Sequence, residues 1–138
     1  MWLNHYHCRA LNVGEDSVEA THDGYRAEGV SHRRRVQFDR RANEFTITDT
    51  LDCERPATVE IPFHLHPAVT VELQGAVAVL KVAGVPKVQI ALDEKLSYAI
   101  REDGWYSEHF GEKVPARFLY AKAECTGSMK FVTRIRVE

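Results

Sequence analysis

The feature that most constrains this chain is an alternation of apolar and polar residues with a period of two. In residues 131–137 the alternate positions are Phe131, Thr133, Ile135 and Val137, and the positions between them are Val132, Arg134 and Arg136. The same period recurs in residues 45–51, 59–65, 69–73, 88–92 and 96–100. Because alternate side chains of a strand share one face, each run predicts a half-buried β-strand.

Turn signals separate these runs at short intervals, among them Asp23-Gly24, the stretch from Asp52 to Pro56, Gln74-Gly75 and Asp103-Gly104. No stretch of a dozen residues has the apolar spacing of three and four that an amphipathic helix needs. The pattern therefore predicts an all-β fold, an antiparallel β-sandwich of roughly ten to twelve short strands. With 138 residues and 44% hydrophobic content, residues 1–138 are expected to form a single domain.

Charge and cysteine content exclude several classes of protein. A formal charge of -2 gives the chain no overall positive charge to attract a nucleic acid or an anionic membrane, so neither partner is expected. The longest apolar run, Ala76 to Leu80, is too short to cross a bilayer, and no signal peptide pattern is present, which leaves periplasm and cytoplasm open. Three cysteines without a CxxC spacing predict buried or idle thiols, not a disulfide framework or a zinc ribbon.

The pair His64 and His66 is the strongest metal-like signal in the sequence. Two histidines at i and i+2 on a strand share a face, and with Glu72 and Gly75 downstream they resemble the first motif of cupin metal sites. The spacing to Glu72 exceeds the cupin spacing, and no second histidine motif follows. We therefore expect both rings on the solvated face of a strand, no metal and no cofactor, with a cupin-like metal site as the alternative.

Arg33-Arg34-Arg35 is the only dense basic run. On a strand, Arg33 and Arg35 share one face, while Arg34 lies on the other face with Val36 and Phe38. An inward-facing Arg34 needs a carboxylate partner. The run is interpreted as an ion pair within the sheet or between domains, or as a clamp for sugar carboxylates or sulfates, which fit the guanidinium fork.

Several segments of the sequence together resemble the C-terminal part of heparinase II/III-like proteins. The matching segments are His22 to Tyr25, Gly29 to Val36, Phe45 to Leu51, Phe63 to Pro67, Gly104 to Ser107, Phe110 to Ala116 and Phe131 to Ile135. The resemblance implies a longer parent, in which an N-terminal α/α-toroid joins a large antiparallel β-sandwich and cleaves uronic-acid-containing polysaccharides by β-elimination. In that family the proton-transfer residues and the metal set lie upstream of the matched segment, so no catalytic residue is assigned here.

The resemblance favours a non-catalytic C-terminal domain of a polysaccharide lyase, with the toroid and an acidic polysaccharide as partners. Candidate sugar contacts are His22, Tyr25, His32 and Arg34, with Trp105 as a stacking surface for a sugar ring or a core residue. Surface that a toroid covers in the parent would favour a homodimer of the isolated domain. A free-standing carbohydrate-binding module is the other alternative.

Overall fold

The computed structural model describes residues 6–138, and these residues form an antiparallel β-structure. Its strands are β1 (Cys8–Val13), β2 (Ser17–His22), β3 (Val30–Asp39), β4 (Glu44–His64), β5 (Val69–Gln74), β6 (Val77–Val82), β7 (Val85–Ala91), β8 (Ser97–Tyr106) and β9 (Val114–Val137). A short 3-10 turn, Arg26–Glu28, connects β2 to β3. Within residues 6–138 we find no helix capable of spanning a bilayer. The all-β class is confirmed.

One continuous sheet, in the order β1-β2-β3-β4-β9-β7-β6-β5 with β8 also paired to β9, contains all these strands. The long strands β4 and β9 pair along most of their length, and their register shifts between Cys53 and Ala57. On one side of this shift β3 pairs with residues 44–53 of β4 and β7 with the end of β9, and on the other side β8 pairs with the start of β9. The shift therefore divides the sheet into two layers. The wide layer contains residues 44–53 of β4, the end of β9, and strands β1, β2, β3, β5, β6 and β7, and the narrow layer contains the rest of β4, the start of β9, and β8.

The number of strands differs from the expected ten to twelve short ones, because β4 and β9 are each a single long strand. Turn-forming residues between Asp52 and Pro56 predicted a turn between two separate strands, but these residues lie inside the single strand β4. The register shift lets the strand change direction without ending, as a β-bulge does. Nine strands in the described residues thus replace the larger number read from the turn signals.

The core lies between the two layers. Leu51 and Phe131 from the wide layer belong to the same buried cluster as Ile61 and Leu119 from the narrow layer. Phe131 and Leu119 are almost completely buried. The inward residues of the alternating runs therefore pack face to face, which is the sandwich arrangement that the alternation predicts.

Gly104 is needed where β8 bends against β9. The pairing of the two strands shifts between Arg101 and Gly104, and a Cβ at Gly104 would stand 2.7 Å from the carbonyl oxygen of Ala116 and 2.8 Å from a ring carbon of Phe118. Both distances are too short, so Gly104→Ala is expected to reduce the free energy of unfolding by about 2 kcal/mol. Urea denaturation measures this loss, and Glu102→Ala is the control because Glu102 is exposed on the same strand. Equal midpoints for the two variants would contradict the prediction.

Candidate functional site

Four polar residues meet on the inner face of the wide layer because of how their strands are paired. His22 at the end of β2 lies opposite His32 on β3, and Arg34 on β3 lies opposite Asp49 on β4. His32 and Arg34 are two residues apart on one strand, so their side chains share a face. We call these four residues, together with Tyr25, the histidine cluster.

Asp49 is the centre of the histidine cluster. Its Oδ1 accepts a hydrogen bond from Nε2 of His32 at 2.6 Å and another from Nε of Arg34 at 2.7 Å, and its Oδ2 accepts from Nη2 of Arg34 at 3.0 Å. The Asp49 side chain is 4% exposed, whereas that of Arg34 is 45% exposed. A buried carboxylate is thus held by a two-pronged guanidinium contact and an imidazole.

Burial and hydrogen bonding change the pKa of Asp49 in opposite directions. Burial raises this pKa, but the hydrogen bonds from His32 and Arg34, together with their charges, lower it. The net result is a pKa below the ordinary value of 3.8. Asp49 is therefore a carboxylate at neutral pH.

A directional chain of hydrogen bonds runs through both histidines. The backbone N–H of Gly24 donates to Nδ1 of His22 at 3.1 Å, so the proton of neutral His22 is on Nε2. That Nε2 lies 3.1 Å from Nδ1 of His32, which must accept, and the proton of His32 is then on Nε2 and points to Asp49. All four ring nitrogens are thus occupied by partners inside the protein.

Tyr25 completes the histidine cluster from the turn after β2. Its ring centroid lies 5.0 Å from that of His22 in an edge-to-face arrangement, and 6.4 Å from that of His32. The backbone carbonyl of Tyr25 accepts the N–H groups of Glu28 and Val30, which fixes the turn. Tyr25 is 51% exposed, and within residues 6–138 its hydroxyl makes no hydrogen bond, so this group is available to a ligand.

The histidine cluster forms one end of a cavity of about 1240 Å³ between the layers. The opposite wall comes from the second part of β4, where the apolar residues Ala57, Val59, Ile61 and Phe63 line the cavity together with Arg55, Thr58 and Glu60. A ligand there would meet the histidine cluster on one side and a wall of mixed apolar and polar residues on the other. Concave sites that combine apolar walls with a few converging polar groups commonly bind small molecules.

Four of the candidate sugar contacts, His22, Tyr25, His32 and Arg34, therefore lie together, and Trp105 does not join them. Trp105 is on β8 in the narrow layer and does not line the cavity. Its side chain is exposed, and the amino group of Lys113 lies 4.3 Å from the centre of its ring. Trp105 is thus a surface residue, separate from the histidine cluster, and its core alternative is wrong.

His64 is the last residue of β4, whereas His66 follows after the strand has ended and so does not lie on a strand as expected. Both histidines have aromatic neighbours. The ring of His64 is stacked on Phe118 at a centroid distance of 5.4 Å, and the ring of His66 meets Tyr106 edge-on at 5.1 Å. Nδ1 of His66 accepts the backbone N–H of Ala68. In the part of the chain that the structure describes, no three His, Cys, Asp or Glu side chains are grouped as metal ligands.

Asp49 is the member of the histidine cluster that sequence reasoning missed. The alternation through Phe45, Ile47 and Leu51 places residue 49 on the inner face, so a carboxylate there interrupts an otherwise apolar series. That interruption is the signal that would have identified it. It also supplies the partner that an inward-facing Arg34 requires, so the ion pair within the sheet is confirmed.

One family model matches the chain, and several solved structures share its fold. The family model described as heparinase II/III-like, C-terminal, matches residues 2–136. Heparan sulfate lyase HepC from Pedobacter heparinus is similar in structure, with a TM-score of 0.75 and 14% identity over 94% of this chain and 21% of that chain. A heparinase III, the BT4657 gene product, is similar with a TM-score of 0.77 at the same identity and coverage. No curated protein matches the sequence.

Proposed function

The chain belongs to the heparinase II/III-like C-terminal family, and from this membership we propose that it is a non-catalytic β-sandwich domain of a polysaccharide lyase. Its role is to support an N-terminal α/α-toroid and to form an edge of the groove that binds an acidic polysaccharide. The observation that carries the proposal is the histidine cluster, which presents polar groups at one end of an open cavity while using every histidine nitrogen internally.

Two observations support the toroid as a packing partner: the small share of the similar solved structures that this chain covers, and its exposed apolar residues. The chain spans about a fifth (21%) of the length of the solved structures that it matches. Leu11, Val13 and Val18 are exposed on β1 and β2, at the edge of the wide layer. Apolar side chains on an edge strand are a suitable surface for burial against another domain. The toroid is the proposed occupant, and a homodimer of the isolated domain stays a prediction.

A non-catalytic role is consistent with the hydrogen bonds of the histidine cluster. β-Elimination on a uronate needs a base for the C5 proton, an acid for the leaving oxygen and a group that neutralises the carboxylate. Neither His22 nor His32 has a free nitrogen that can take a proton. Arg34 is already neutralised by Asp49, so the cluster adds no net positive charge.

Sugar contact is consistent with the groups that remain free. The Tyr25 hydroxyl can donate to or accept from a sugar hydroxyl, and Nη1 of Arg34 has no partner within residues 6–138 and can donate to a carboxylate or a sulfate. The exposed ring of Tyr25 can pack against the C–H face of a sugar ring. Because one similar structure is a heparan sulfate lyase, a uronate-containing glycosaminoglycan is the proposed ligand class.

The proposal predicts that heparan sulfate oligosaccharides bind at the cavity and that binding depends on Tyr25. In a titration followed by ¹H–¹⁵N NMR, we expect shifts at Gly24, Tyr25 and their neighbours. Tyr25→Phe removes one hydrogen bond of ~1 kcal/mol, so we expect about fivefold weaker binding. Phe110→Ala, at a fully exposed aromatic residue, is the control, and Trp105→Ala tests the separate stacking contact.

Two outcomes would contradict this proposal. Equal affinity of wild type and Tyr25→Phe, with no shifts near Gly24, would show that the histidine cluster does not contact sugar. An increase in the ultraviolet absorbance of unsaturated uronate products that Tyr25→Phe abolishes would show that the chain is itself catalytic.

A further inference from the structure

Two thiols in the core, Cys53 on β4 and Cys125 on β9, play no part in the proposed site. Their sulfur atoms are 2.6 Å apart, and the two residues are 7% and 0% exposed. Cys8, the third cysteine, is exposed on β1. The core therefore brings together two of the three thiols, which are 72 positions apart in the sequence.

The two cysteines lie at the register shift that separates the layers. Cys53 is the last residue of β4 paired before the shift, and Cys125 is paired with Ala57, the first residue after it. Both strands pass from the wide layer to the narrow layer at this point. A covalent link here would fix the angle between the layers, and so the width of the cavity beside the histidine cluster.

We propose that Cys53 and Cys125 form an intramolecular disulfide when the chain folds in the presence of a disulfide oxidant such as oxidised glutathione. One cysteine thiolate attacks the glutathione disulfide and releases one glutathione thiolate, leaving a mixed disulfide on the protein. The second cysteine thiolate then attacks the protein sulfur of the mixed disulfide and releases the second glutathione. The two cysteines lose two protons and two electrons, and oxidised glutathione gains them as two reduced glutathiones.

The disulfide is expected to form while the chain folds and not after folding is complete. Burial raises the pKa of the Cys125 thiol to about 12, so the thiolate that must attack is almost absent once the core has closed. Glutathione also has no access to a fully buried sulfur atom. Oxidation is therefore expected during refolding, and the reduced folded protein is expected to resist the same oxidant.

The experiment uses the 138-residue chain with Cys8→Ser, which removes the exposed thiol and leaves the core unchanged. The protein is unfolded, reduced, and refolded either in a glutathione redox buffer or in dithiothreitol. After the glutathione refolding we expect no free thiol, an intact mass lower by two hydrogens, and one cross-linked peptide pair. A loop of this length also predicts a melting temperature higher by roughly 10 °C than that of the reduced form.

The control is Cys8→Ser with Cys53→Ala, which keeps Cys125 but cannot close the loop. Its melting temperature should be the same after refolding in either buffer. Two free thiols in the Cys8→Ser protein after glutathione refolding, or a stable glutathione adduct in place of the internal bond, would overturn the proposal. These readouts come from the Cys8→Ser protein itself, so they decide the question even where the control variant does not fold.

Discussion

Replacing Asp49 by alanine is expected to lower the free energy of unfolding by about 3 kcal/mol, because it leaves the largely buried His32 and the half-exposed Arg34 without their carboxylate. His32 would lose the acceptor for its Nε2–H, and Arg34 would retain a charge with no partner on the inner face. Urea denaturation followed by circular dichroism measures the loss. The expected value allows for the partial exposure of Arg34, through which water screens its charge.

The control for Asp49→Ala is Asp103→Ala. Asp103 also forms an ion pair with an arginine, Arg101, but both residues are exposed at the surface. Exposed ion pairs contribute little, so the denaturation midpoint of this variant should equal that of the wild type. A midpoint for Asp49→Ala that also equals the wild type would show that the contacts of Asp49 with His32 and Arg34 make no net contribution to stability.

The contribution of Asp49 should also depend on pH in a defined direction. The pKa of this carboxyl is lower in the folded protein than its ordinary value of 3.8. A lowered pKa means that the stabilisation is complete above the unfolded value and is lost as the pH falls through the folded value. The advantage of the wild type over Asp49→Asn should therefore be constant from neutral pH to about pH 5 and should shrink below about pH 4. An advantage that grows as the pH falls would contradict this assignment.

Phe131→Ala is expected to cost about 4 kcal/mol, the largest effect of any substitution considered. Phe131 is 1% exposed, lies opposite Asp49 in the pairing of β4 with β9, and belongs to the core between the layers. Removing its ring leaves a cavity that the surrounding strands cannot fill without moving. Thermal and urea denaturation both report the loss.

Phe110→Ala makes the same chemical change at a fully exposed phenylalanine and is the matched control. Its free energy of unfolding should differ from that of the wild type by less than about 0.5 kcal/mol. A loss at Phe131 no greater than at Phe110 would mean that the two layers do not pack as described. Because Phe131 and Asp49 are neighbours, the double variant should not show the sum of the two losses.

The strands and their inward faces could be predicted from the sequence because a period of two is a local property. Val59, Ile61 and Phe63 stand at every second position whatever the rest of the chain does, and the structure places Ile61 in the core. The length of β4 could not be predicted in this way. Turn-forming residues between Asp52 and Pro56 have the same composition whether the strand ends there or continues through a bulge, and the pairing with β9 decides between the two.

The candidate site was determined in part by the sequence and in part by strand pairing. Residue types and the family resemblance were enough to select His22, Tyr25, His32 and Arg34, and the period of two placed Arg34 on the inner face. Only the register of β3 on β4 put Arg34 opposite Asp49, and only the register of β2 on β3 put His22 opposite His32. Register joins residues that are distant in the sequence, so no local pattern contains it.

Strand pairing and register also explain where Trp105 and the two buried cysteines lie. The sequence by itself determined the all-β class, the alternation of inner and outer side chains, and the residue types available for chemistry. The tertiary structure alone decided that Trp105 lies apart from the histidine cluster and that Cys53 meets Cys125. Those relationships depend on which strands are neighbours and how they are aligned, and both are set by packing across the whole sheet.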